Sequence, residues 1–165
     1  MSAVSPLNIE EHLKAKGIEL PTVPQPLGAY VPAVIVGNLL FLSGMLPLRD
    51  GKLIRTGKAG VDITLQQLKE DAAQVVLNAL AVVKAAIGDL NRIVRCVKLT
   101  GYVASTVDFY EQPQGINGAS ELLFELMGER GRHCRSAVGV SVLPLNSPIE
   151  IDFIFEIDKD LCPDR

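Results

Sequence analysis

Two charged side chains, Arg135 and Glu150, bracket the stretch RSAVGVSVLPLNSPIE and are the residues best suited to chemistry in this 165-residue chain. A guanidinium stays ionised and offers a planar, bidentate match to a carboxylate. A carboxylate within reach of a bound molecule can orient a water and take its proton. Each has a plainer reading as well, because strand ends commonly carry charge. Other groupings are weaker. His133 and Cys134 are adjacent in an extended run, so their side chains diverge and are not expected to form a dyad. Ser43-Gly44 lacks a nucleophile-elbow context, and no glycine pattern resembles a phosphate or dinucleotide loop. The cysteines and histidines show no ligand spacing, so no metal is expected. By residue type alone, Tyr30 and Asn117 read as a surface aromatic and a helix residue.

Positioning these side chains requires a framework, and the chain supplies one. Its length suits one domain, 1–165, and 48% hydrophobic residues suffice for a real core. The net charge of -3 gives no general attraction to phosphate backbones, so nucleic acid is not expected as a partner. No apolar run approaches the ~18 residues of a membrane span. The start, MSAVSPLNIEEH, lacks the basic and apolar regions of a secretory signal. Three widely spaced cysteines fit reduced thiols, and a cytoplasmic location is the expectation.

Asn8 caps a short helix through about Lys16, stopped by Gly17. After the extended LPTVPQPLG, two β-rich runs meet at Gly37-Asn38 as a hairpin, and Pro32 marks the first as an edge strand. Residues 49–60 read as a polar loop. Thr64 and Gln67 have capping-box spacing. The stripe Leu65, Leu68, Ala72, Val75, Ala79, Val82, Ala86 predicts a long helix ended at Gly88 and packed on the core. A strand at 94–104 follows, with Val97, Leu99 and Val103 on one face. A second long helix is expected at 112–127, buried through Leu122, Leu123 and Leu126. Strands at 133–143 and 149–157 complete the order. Each long helix bridges two strands, which implies an α+β fold: a mixed sheet with both helices on one face.

The other face then needs a cover. Alternation places Val138, Val140 and Val142 under the helices, and Arg135, Ala137, Gly139 and Ser141 on the open face. On the last strand, Ile151, Phe153 and Phe155 point inward while Glu150, Asp152 and Glu156 point outward. The small residues beside Arg135 let another surface approach, so the open face is expected to pack against another subunit. If the last two strands form a hairpin around PLNSP, Arg135 and Glu150 stand more than ~20 Å apart. They could then meet only across an interface between chains.

The runs AYVPAVIVGNLLFLSG at 29–44 and RSAVGVSVLPLNSPIEI at 135–151, with the helix–strand unit between them, resemble the Rid family, also called YjgF or L-PSP. The likeness covers about 25–157, and residues 1–24 form a helical extension ahead of it. It implies a chorismate-mutase-like fold, a homotrimer and clefts between subunits. It also implies hydrolysis of reactive 2-imino and enamine acids to 2-oxo acids and ammonia, without a cofactor. Endoribonuclease activity and non-catalytic binding of small carboxylates are the alternatives. By resemblance, Arg135 grips the substrate carboxylate, Glu150 positions the water, and Tyr30, Gly44 and Asn117 line the pocket. The chain departs from characterised deaminases in carrying Ala137 where they commonly have a cysteine, and in a small insertion before Asn117.

Overall fold

The computed structural model describes residues 8–23 and 28–161, so part of the proline-rich segment lies outside the described residues. Helix α1 (Ile9–Ala15) starts where the Asn8 side chain accepts a hydrogen bond from the Glu11 amide. Its Ile9 and Leu13 are buried in the core. Strands β1 (Ala33–Val36) and β2 (Leu39–Leu42) form the expected hairpin, with Gly37 at φ 58°. The segment expected as a plain loop contains a second small hairpin, β3 (Leu48–Arg49) and β4 (Lys52–Leu53). Asp50 and Gly51 both take positive φ there, as a type I′ turn requires.

Helix α2 (Leu65–Ile87) carries the full capping box between Thr64 and Gln67, an arrangement in which the cap alone contributes about 1 kcal/mol. The stripe does face the core, although Ala86 at its end is exposed. Strand β5 (Ile93–Ala104) has two bulges, so Val97 is an extra residue and Cys96 takes the core position expected for it. Helix α3 (Gln112–Met127) has Pro113 in its first turn and Gly128 at its C-cap. Leu123 and Leu126 are buried, whereas Leu122 is half-buried. Strands β6 (Cys134–Val140) and β7 (Ile149–Ile157) follow.

The sheet order is β1-β2-β7-β5-β6, with β1 at an edge as Pro32 indicated. Only the β5–β6 pair is parallel. This order overturns the expected hairpin between the last two strands. Strand β5 lies between them, and the connection crosses its end, where the Ala104 amide donates to the Pro148 carbonyl. Both long helices pack on one face, as expected. The faces of β6, however, are the reverse of the expected ones. Arg135, Ala137 and Gly139 pair with Leu99, Gly101 and Val103, which face the helices. Val138 pairs with Tyr102 on the helix-free face and is 43% exposed. Apolarity misled here because β6 is an edge strand whose valines lie on an uncovered face. The faces of β7 are as expected, with Ile151, Phe153 and Phe155 buried. The helix-free face also shows Val34, Val36 and Phe41, which are exposed and apolar.

One face of α2 buries polar groups. Gln74 Nε2 donates to the Leu48 carbonyl and to Asn78 Oδ1, while Arg49 donates to Gln74 Oε1. Asp71 is fully buried, and neither carboxyl oxygen has a hydrogen-bond partner among the described residues. Arg55 Nη1 stands 3.3 Å from Oδ1 without hydrogen-bond alignment. Burial outweighs that attraction and pushes the Asp71 carboxyl up to about 7. The folded protein therefore holds a proton that the unfolded chain releases near pH 4, and stability falls as pH rises between about 4 and 7. Asp71→Asn should remove that slope and raise stability at pH 8 by more than about 1 kcal/mol. Denaturant titrations of both proteins at pH 4.5 and 8 would check this; equal slopes would contradict it.

Candidate functional site

The structure separates the predicted site residues into two groups. Arg135 sits on the edge strand β6, on the helix side. Its Nη1 donates to Asn117 Oδ1 at 2.7 Å and to Ser120 Oγ at 3.1 Å. Asn117 and Ser120 are three residues apart on α3 and so share one helix face. The exposed guanidinium is thus oriented by one nitrogen. Its Nε and Nη2 have no hydrogen-bond partner among the described residues. A side-on fork of this kind fits a carboxylate.

Two residues that sequence reasoning passed over complete this group. His133 Nε2 lies 3.0 Å from Ser120 Oγ, and His133 Nδ1 lies 2.6 Å from the Gly131 carbonyl. The neighbour that matters for His133 is not Cys134, whose side chain points the other way along the strand. The relevant signal was its two-residue spacing from Arg135, which puts both side chains on one side of an extended chain. Burial holds the His133 imidazole below its ordinary pKa, opposed by the Gly131 carbonyl and reinforced by the Arg135 charge.

Glu150 belongs to the second group. It pairs with Tyr102 on the helix-free face, beside Asp152, whose Oδ2 accepts a hydrogen bond from Tyr102 at 3.2 Å. Burial, and then the Asp152 charge, push the Glu150 carboxyl up. Gly44 is in direct contact with it, and a Cβ at that position would overlap the Glu150 carboxyl. Tyr30 is 53% exposed, in the segment entering β1. That segment is tied to the strand end by Ser43 Oγ, which donates to the Val31 carbonyl.

Arg135 and Glu150 are not brought together. Arg135 pairs at Leu99 and Glu150 at Tyr102, so they stand three residues along β5 and on strands either side of it. Standard strand spacings give a backbone separation of roughly 14 Å, and the side chains leave opposite faces. The separation is shorter than the hairpin estimate, and the shared face expected for them is absent. Both corrections leave one small molecule out of reach of both groups in a single chain.

The comparisons with known proteins agree with this architecture. Residues 10–157 match the family described as YjgF/chorismate mutase-like, putative endoribonuclease. The chain belongs to this YjgF/Rid family. It is 38% identical to the protein TCP17 of Trypanosoma cruzi over 96% of this chain and all of that one. It is 31% identical to a Dermatophagoides farinae protein named 2-iminobutanoate/2-iminopropanoate deaminase, over 86% of this chain and 95% of the relative. Among solved structures, the Agrobacterium tumefaciens protein Atu1372, of unknown function, superposes with a TM-score of 0.85 at 48% identity. That match covers 91% of this chain and 92% of the other. The helices on one face and the mixed sheet are thus those of a YjgF/Rid protein, and the family includes imine deaminases.

Gly44 offers a direct test of the second group. The atoms its Cβ would meet end a flexible side chain, so Gly44→Ala should displace the Glu150 carboxyl rather than unfold the protein. The thermal midpoint should change by no more than a few degrees, while any turnover that depends on Glu150 should drop at least about tenfold. A large loss of stability would instead assign Gly44 to packing.

Proposed function

We propose that this YjgF/Rid protein hydrolyses reactive 2-imino and enamine acids to 2-oxo acids and ammonia, at clefts between subunits of a homotrimer. The placement of Arg135 and Glu150 on opposite faces carries the reading. An oriented cation at the sheet edge and a carboxylate on the uncovered face make one site only when a second copy supplies the missing half. The exposed Val34, Val36, Phe41 and Val138 on that face support its cover by another chain. The named deaminase relative supports the substrate class.

In this reading the substrate carboxylate docks on Arg135 Nε and Nη2, and Asn117 and Ser120 hold the guanidinium in place. Glu150 of the adjoining copy orients a water toward the imine carbon. With the imine in its protonated, iminium form, the water oxygen bonds to the imine carbon as Glu150 takes one water proton, giving a carbinolamine. Glu150 then passes that proton to the nitrogen and takes the carbinol O–H proton as the C–N bond breaks, so that ammonia leaves and the 2-oxo group forms. An imine is already electrophilic, so placement supplies most of what the reaction needs. Gly44 lets the Glu150 carboxyl lie against the backbone, and Tyr30 walls the pocket. Water, rather than a thiol, is the nucleophile, so Ala137 in place of a cysteine leaves this route intact. The net charge of -3 gives no general attraction to RNA, which weighs against the ribonuclease reading.

Imines generated in situ by an amino-acid oxidase provide the assay. Added protein should accelerate ammonia release, and Arg135→Ala should reduce kcat/KM by roughly 10- to 100-fold while leaving the assembly intact in light scattering. Unchanged ammonia release by the native protein would remove the proposal, and carboxylate binding without turnover would assign the cleft to a binding protein. Because Glu150 must be ionised to take the proton, activity should fall on acidification as that carboxyl becomes protonated. Glu150→Gln should lower turnover at every pH and spare carboxylate binding.

A further inference from the structure

The Ser120–His133 contact has a direction that the hydrogen bonds determine. A carbonyl can only accept, so His133 Nδ1 carries the proton that it shares with Gly131. In the neutral ring Nε2 then holds a lone pair, and the Ser120 hydroxyl donates to it. Ser120 Oγ in turn accepts from Arg135 Nη1, which Asn117 fixes from the other side. Hydroxyl, imidazole and orienting carbonyl follow the order of a serine nucleophile, its general base and the group that sets the base's tautomer. These residues line a cleft of about 440 Å³, walled on its apolar side by Phe124.

We propose that Ser120 and His133 form a nucleophile–base pair, and that this cleft takes small esters carrying a free carboxylate. The carboxylate binds Arg135 Nε and Nη2, leaving Nη1 on Ser120, where the cation favours the alkoxide. Ser120 Oγ forms a bond to the ester carbonyl carbon while its proton passes to His133 Nε2. That proton then moves to the departing alcohol as the ester C–O bond breaks, leaving an acyl-serine. Water, giving a proton to Nε2, cleaves the acyl-serine and restores the hydroxyl. The charged groups around His133 are Arg135 from β6, Arg132 ahead of it, and Glu121 from α3. Arg132 is already engaged, with its Nε on Glu129 and its guanidinium 4.9 Å from the Phe124 ring centroid. Burial keeps the imidazole below its ordinary 6.5, hence neutral and able to accept a proton at pH 7. The step needs neither Glu150 nor an imine, so it goes beyond the deaminase reading and stands or falls apart from it.

The test uses the full chain with a mono-p-nitrophenyl ester of a short dicarboxylic acid, and p-nitrophenyl acetate for comparison, in the absence of any imine. A burst of p-nitrophenolate and peptide mass mapping should show a single acyl group on Ser120. The carboxylate-bearing ester should react roughly 10- to 100-fold faster than the acetate, and Arg135→Met should abolish that preference. His133→Gln, with its thermal midpoint checked, should slow acylation by about 100-fold. In the native protein the rate should be flat from pH 8 to 7 and decline only below the ordinary imidazole pKa. No adduct on Ser120 of the native protein, or acylation confined to Cys134 or lysines, overturns the proposal whatever the variants do. Equal rates in folded His133→Gln overturn it as well.

Discussion

The pairing of β5 with β6 on one side and β7 on the other is the constraint from which the site geometry follows. A strand has two hydrogen-bonding edges, and β5 spends them on one parallel and one antiparallel neighbour. Residues paired across a ladder share a face, so the register assigns every side chain. Leu99 faces the helices and takes Arg135 with it; Tyr102 faces away and takes Glu150 with it. A one-residue slip of β6 would send Arg135 to the uncovered face and away from α3. The cation, its orienting groups and its distance from the acid all depend on that register.

Close packing of α3 sets the other half of the Arg135 environment. A Cβ at Gly118 would strike the backbone of Lys69 on α2, and one at Gly115 would strike Leu68. On the sheet side, Gly101 leaves room for the Ile116 side chain. Backbone is the less forgiving contact, so Gly118 limits how near α3 can lie to α2. With α3 seated there, Asn117 and Ser120 reach the guanidinium at hydrogen-bond distance. His133 enters the same network from the turn before β6, held by the Gly131 carbonyl.

Local signals in the sequence were read correctly where the physics is local. Thr64 with Gln67, Gly37 at a two-residue turn and Pro32 ahead of an edge strand each depend on a few neighbouring residues. The order of strands depends on pairing partners far apart in the chain, and adjacency of β6 and β7 in sequence was a poor guide to it. Valine at 138 and 140 carried the same ambiguity: apolarity marks a side chain that gains from burial, without saying whether this chain or another provides it. Arg135, Glu150 and Asn117 were assigned to a site through family resemblance alone, and the Arg135–Asn117 contact followed only from the packing of α3. Ser120 gave no signal of its own, since a serine inside a helix is ordinary until its neighbour is known.

The electrostatics of the helix-free face state what a cover over Glu150 would have to supply. Glu150 stands partly buried beside Asp152, and both effects favour its neutral form. Covering that face with apolar surface alone would bury the carboxyl further and favour the neutral form more. A guanidinium brought within about 8 Å supplies the opposite influence, worth on the order of 2 kcal/mol at an effective dielectric of 20. Arg135 carries such a charge at the edge of the sheet, with one nitrogen anchored and the rest of the fork unpaired. An interface that joined these groups would keep Glu150 ionised without a new charge on either chain. The same interface would leave room for a substrate carboxylate between them only if the guanidinium stayed anchored by Asn117, so that contact controls both charge and spacing.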